Sequence, residues 1–169
     1  MNALDWTKWS AVAEIASSIA ILVTLVYLAI QTAQNTAAVQ ASTRQSMLAE
    51  DRALLELQIA YPDTALLQVA EPGSLSDEQI VRIASWLTIF VRNKENQYLQ
   101  FRNGVIDEGT WRAYSSVSAE VLSYEITRRW WESRSAVGEF DPSFTQYVNE
   151  LLATRDVKSY TVSEAFGLE

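Results

Sequence analysis

Glu14 is the one charged side chain in the run Ala11–Ile30, AVAEIASSIAILVTLVYLAI. An ionisable group inside so apolar a stretch is costly, and in a membrane helix it marks a candidate functional site. At about 100° per residue, Ser17, Ser18, Thr32 and Asn35 fall within about 60° of Glu14, with Thr24 and Gln31 at the edge of that face. Ile21, Leu25 and Leu28 interrupt the stripe. Packed against its copies in an oligomer, this face would present a ring of carboxylates above hydroxyls, the way cation pores are lined. The plainer alternative is that Glu14 lies close enough to one end of the run to reach the headgroups by snorkelling.

Other chemistry is narrowed by what the chain lacks. Among 169 residues there is no His and no Cys. Thiolate nucleophiles, Ser-His-Asp triads, zinc fingers and haem ligation each need one of those side chains. With 5 Gly and no glycine-rich phosphate loop, an enzyme would have to work with Asp, Glu, Lys, Ser or Tyr alone. We therefore expect no catalytic residue, no metal site and no cofactor. The net charge is −8 and the sequence has no basic stripe, so nucleic acid is not expected as a partner.

The element that must position Glu14 is a helix. A run of twenty residues with one charge matches the roughly 20 needed to cross ~30 Å of hydrocarbon, so residues 11–30 are expected to form a transmembrane helix. Trp6 and Trp9 precede it and Tyr27 lies near its far end, where aromatic rings favour the headgroup level, and these three read as interface anchors. Residues 1–10 then form an interfacial N-terminus. A signal peptide is the main rival, but its basic n-region is missing, because Lys8 is offset by Asp5. A buried core helix would need more surrounding chain than is present. Orientation is weakly marked, since only Lys8 precedes the run and Arg44 is the first basic residue after it; the C-terminal part is expected on the cytoplasmic side.

Beyond the run the sequence stays helix-forming, without Gly or Pro until Pro62, so residues 31–61 should continue the same helix. From Trp9 to Tyr61 it would be roughly 80 Å long. Met47, Leu48, Leu54, Leu55 and Ile59 keep helical spacing, giving an apolar face that needs a partner. Ala16, Ala20 and Thr24, and again Ala29, Ala33, Ala37 and Ala41, recur at fours and form tracks on which helices approach closely. Together these features point to a homo-oligomer or a membrane-protein partner, in addition to the lipid bilayer.

Residues 76–155 should make a helical bundle. Ser76 and Gln79 have capping-box spacing ahead of Ile80, Ile83, Leu87, Phe90 and Val91. Asn103-Gly104 is a stop. Asp107 should cap a third helix reaching to about Gly138, and Asp141-Pro142 should open a fourth through Phe144, Val148 and Leu152. Residues 156–169 read as a tail. No segment shows strand alternation, so the fold class is all-α, with a long N-terminal transmembrane helix extending into a small C-terminal bundle.

Two polar clusters interrupt the bundle's pattern. Arg128, Arg129, Trp130, Trp131 and Arg134 interleave base and aromatic, which suits core packing of Trp131 under an arginine better than a lipid or nucleic-acid contact. Arg92 to Gln97, RNKENQ, forms a small site or, more simply, a solvated helix face.

The run Thr24 to Thr43 resembles the start of a broad family of uncharacterised small bacterial membrane proteins, in which an apolar N-terminal helix leads into a YLAxQxxQNTxA-like stretch. The matching residues are Tyr27, Leu28, Ala29, Gln31, Gln34, Asn35, Thr36 and Ala38. A C-terminal W-x-x-x-R…F-x-x-x-V-x-x-L pattern is matched by Trp130, Arg134, Phe144, Val148 and Leu151. Family members often carry Arg just after the span, where this chain has Thr32, Ala33 and Ala37. The resemblance implies a single-span protein of the bacterial inner membrane and brings no activity with it. The expected function is thus a non-catalytic, membrane-anchored homo-oligomer acting as scaffold or accessory subunit, with an ion channel lined by the Glu14 face as the alternative.

Overall fold

A computed structural model describes residues 3–158, with side chains from Trp6 onward. Six helices follow one another: α1 (Ala3–Ala60), α2 (Asp63–Gln68), α3 (Asp77–Arg102), α4 (Glu108–Val121), α5 (Glu125–Ala136) and α6 (Pro142–Ala153). Among the described residues there is no strand, and the all-α expectation holds.

The chain divides after Ser42 into two units. The first is the N-terminal part of α1. It contains an 18-residue window of mean hydropathy 2.1, none of it buried within the chain, so α1 is long and apolar enough to cross a membrane. Four hydroxyls along it are served locally: Ser18 donates to the Glu14 carbonyl, Thr24 to Ala20, Thr32 to Leu28 and Thr36 to Thr32, at 2.8–3.0 Å. Bonded to the carbonyl four residues back, each of these four has its donor hydrogen satisfied within the helix.

The second unit, from Thr43, is the bundle. Its core gathers Met47 and Leu54 from α1, Leu67 from α2, Ile83, Leu87, Phe90 and Val91 from α3, Trp111 from α4, Trp131 from α5, and Phe144, Val148 and Leu152 from α6. The face expected on the last turns of α1 is thereby split. Met47 and Leu54 are covered by the bundle, while Leu48, Leu55 and Ile59 stay exposed. Tyr98 sits at the centre of an aromatic cluster, with Trp111, Phe144 and Tyr147 at ring-centroid distances of 5.2–5.6 Å. Trp131 stacks on Phe140 at 5.2 Å and donates its indole N–H to Asn149 Oδ1 at 2.8 Å, so Trp131 is a core residue, as expected. The arginine expected above it acts elsewhere: Arg128 donates to the carbonyls of Leu122, Leu152 and Arg155, tying α5 to the end of α6.

The helix starts follow their capping residues. Ser76 and Gln79 form the reciprocal capping box. Asp141 accepts from the Ser143 and Phe144 N–H groups, with Pro142 in the first turn of α6. Gly104, at φ +72°, follows the end of α3 in a conformation that a side chain would strain. Two expectations need correction. A short α2 follows Pro62, held to α3 by the Arg82–Asp63 ion pair, with Glu78 one turn back on α3 also pairing with Arg82. The single third helix expected from Asp107 to Gly138 is two helices, interrupted at Leu122–Tyr124. There Ser123 Oγ bonds the Ala119 carbonyl and Thr127 Oγ1 the carbonyls of Val121 and Tyr124, giving the chain local bonds that compete with a continuous helix. Leu122 fills the core at this corner. The Lys158 N–H donates to the Ser123 carbonyl at 2.8 Å, so the chain beyond α6 returns to the same corner; residues 159–169 of the expected tail lie outside the described residues.

Asp107 both caps α4 and reaches α1. Its carboxylate accepts from the Thr110 N–H at 2.9 Å and the Thr110 hydroxyl at 2.8 Å, and pairs with Arg44 at 2.7 Å. The Thr110 bonds, led by the backbone N–H, hold its pKa at about 2. A carboxyl whose folded pKa lies below its unfolded value stabilises the fold only while ionised. Asp107→Asn should therefore be less stable than the wild-type chain near neutrality. The gap should narrow as pH falls from about 4 towards about 2. Denaturant titration in detergent across that range checks this, and a gap independent of pH would count against it.

Candidate functional site

The residues singled out on the N-terminal run, Glu14, Ser17, Ser18, Thr24, Gln31, Thr32 and Asn35, all lie exposed on α1 within the first unit, as do Trp6, Trp9 and Tyr27. Helical geometry alone relates them to one another. Concave sites are found in the second unit.

A cavity of about 470 Å³ opens between the last turns of α1, α2, α3 and α4. That volume falls in the range of small-molecule sites, about 300–1,000 Å³. Leu54 and Leu55 come from α1, Ala65 and Val69 from α2 and its C-cap, Trp86 and Phe90 from α3, and Tyr114, Val117 and Val121 from α4. Trp86 and Phe90 stack at 5.0 Å with ring planes only 11° apart, making a flat wall. They are four residues apart on one helix face, so α3 alone sets this geometry.

Lys94, one turn further along α3, supplies the cavity's buried charge. The residue is only 4% exposed. Its Nζ donates to Asp51 Oδ1 at 3.3 Å and Gln97 Oε1 at 3.1 Å, and lies 4.9 Å from the Tyr114 ring centroid and 5.5 Å from that of Phe90. Burial pushes the Lys94 ammonium below its usual pKa, and Asp51 pulls it part of the way back. Burial likewise raises the Tyr114 phenol. On the opposite side Glu120 is paired with Lys158 at 2.5 Å and Arg155 at 3.5 Å.

The Arg92–Gln97 cluster is divided between water and the interior. Arg92 and Asn96 are exposed, whereas Lys94, Glu95 and Gln97 are buried where α3 packs against α2, α4 and α6. Glu95 is spoken for by Arg92 at 2.8 Å and by the Asp141 N–H at 2.5 Å, a bond that fixes the entry to α6. The clustering of polar residues in the middle of an otherwise apolar helix was the signal for this site. Trp86, Phe90 and Tyr114 gave none, since aromatic residues at helical spacing read as ordinary core.

Among the described residues no group of three or more Asp or Glu side chains could hold a metal ion. Comparison with protein-family models, with curated proteins and with solved structures gave no match to this chain.

The buried ammonium has a measurable consequence. Between its lowered folded pKa and about 10.4, the unfolded chain holds a proton at Lys94 that the folded chain has lost, so stability should rise with pH across that window. Lys94→Met should remove this rise. Denaturation of both proteins from neutral pH to about pH 9, below the range where Tyr114 ionises in the unfolded chain and acts with the opposite sign, checks it. Parallel profiles for the two proteins would refute the assignment.

Proposed function

We propose that this chain is a single-span protein of the bacterial inner membrane, self-associating through α1 and acting as a non-catalytic scaffold or accessory subunit, with its bundle on the cytoplasmic side. The observation that carries the reading is the stretch of α1 whose side chains are apolar and wholly uncovered by the rest of the chain. In water so large an uncovered apolar surface is unfavourable, whereas a bilayer covers it and also suits Trp6 and Trp9 at its edge. Hydroxyls bonded back to their own helix fit the same solvent.

Self-association is supported by what the bundle leaves open on α1. Leu48, Leu55 and Ile59 remain exposed on one side of the helix, while the alanine tracks let backbones approach. The resemblance noted on the sequence agrees with this architecture. The absence of His and Cys from the chain supports a non-catalytic role.

Arginine at the centre of a membrane helix costs about 2.5–3.5 kcal/mol on insertion scales, so Leu22→Arg should move much of the protein from the carbonate-resistant membrane fraction to the soluble one. Retention of wild-type and variant alike in the soluble fraction would overturn the anchor. Native mass spectrometry of the nanodisc-held wild-type chain should give one closed homo-oligomer, reduced in size by Leu48→Glu with Ile59→Glu. A monomer would refute self-association while leaving the anchor standing.

A further inference from the structure

We propose that the cavity between α1, α2, α3 and α4 is a docking groove for the chain's own residues 159–169, entered from the corner where α4 ends. The inference is independent of the membrane reading, because the cavity walls and the chain up to Lys158 belong to the second unit. The first observation is where the chain leads. Past α6 it returns to the end of α4, where the Lys158 N–H donates to the Ser123 carbonyl at 2.8 Å and Lys158 pairs with Tyr124 in a parallel β-bridge. Tyr124 lines the cavity, as do Glu120 and Val121 about a turn earlier. The residues after Lys158 are therefore tethered at the cavity's edge.

The second observation is the pairing of charge along that edge. Lys158 Nζ meets Glu120 at 2.5 Å and Arg155 meets the same carboxylate at 3.5 Å, so the charge that α4 contributes to the wall is answered by the segment leading to residue 159. Asp51 is answered by Lys94. What remains of the α4 wall is an apolar ridge, since Val117, Val121 and Tyr124 follow one another at four and three residues from the cavity to the corner. Val117 is 51% exposed, so this ridge has room for a covering segment.

The third observation is the sequence that follows. Residues 159–163, SYTVS, carry no charge and offer Tyr160 and Val162, and the first ionisable carboxyl is that of Glu164. Such a segment suits a groove whose charges are already paired, where a further ion would find no counter-charge. Reach is sufficient. From Ser123 back to Val117 is about 9 Å along a helix axis, and five residues extend up to about 17 Å. Tethering makes the docking intramolecular, equivalent to roughly millimolar concentration, so few apolar contacts are needed to hold it.

The chain has no cysteine, so disulfide trapping of the full chain in nanodiscs starts without background. Val117→Cys with Ser163→Cys should join within one chain under mild oxidation, as read by peptide mapping. Val137→Cys, exposed and outside the cavity wall, should join Ser163→Cys at least about tenfold less. Tyr160→Asp should lower trapping between 117 and 163 about tenfold or more, the worth of one buried side chain, and Tyr160→Phe should preserve it. Circular dichroism should show wild-type helix content in every variant. No bond between 117 and 163, equal trapping at 137, or trapping indifferent to Tyr160→Asp would each overturn the inference. A bond found only between isotope-distinguished copies would also overturn it, making a second chain's segment the occupant.

Discussion

A helix enclosed on several sides must settle its own polar residues, and the bundle is arranged around how α3 does so. Lys94, Glu95 and Gln97 are consecutive enough to point in three directions and all are buried. Lys94 is met by Asp51 from α1, and Glu95 by the first backbone N–H before α6 and by Arg92. An unpaired charge in such a place would cost several kcal/mol, so these bonds constrain where α1 and α6 can lie against α3. The apolar contacts around them, Leu87, Phe90, Val91 and the Tyr98 cluster, supply burial but are less particular about register.

The bundle is hollow beside Lys94. Its ammonium lies against the Tyr114 and Phe90 rings, 4.9 and 5.5 Å from their centroids. Smaller side chains on the adjoining walls, Ala65, Val69, Ala113 and Val117, do not fill the space. A cavity is costly to keep empty, since its lining forgoes dispersion contacts.

How far the sequence foretold this differs between elements for physical reasons. Caps are local, requiring one side chain and the N–H groups two or three residues on. Ser76, Asp107 and Asp141 accordingly marked the starts of α3, α4 and α6. The division between α4 and α5 has no glycine or proline to announce it. It depends on Ser123 and Thr127 turning their hydroxyls to nearby carbonyls and on Lys158 and Arg128 answering others from a distance, which one-dimensional spacing does not reveal. The candidate site was half legible. Its charged residues stood out as a polar cluster in an apolar helix, but whether that cluster faced water or the interior was decided by α2, α4 and α6 closing around it.

The N-terminal run shows the opposite case, where almost everything follows from local composition. Its helix needs no partner to satisfy its backbone, and Ser18, Thr24, Thr32 and Thr36 satisfy their hydroxyl hydrogens within it. That weakens the argument from polar spacing. A stripe of hydroxyls need not line a pore or an interface where, as at Ser18, Thr24 and Thr32, the hydroxyl is already bonded four residues back. Glu14 differs from them in having a charge that no backbone carbonyl can answer.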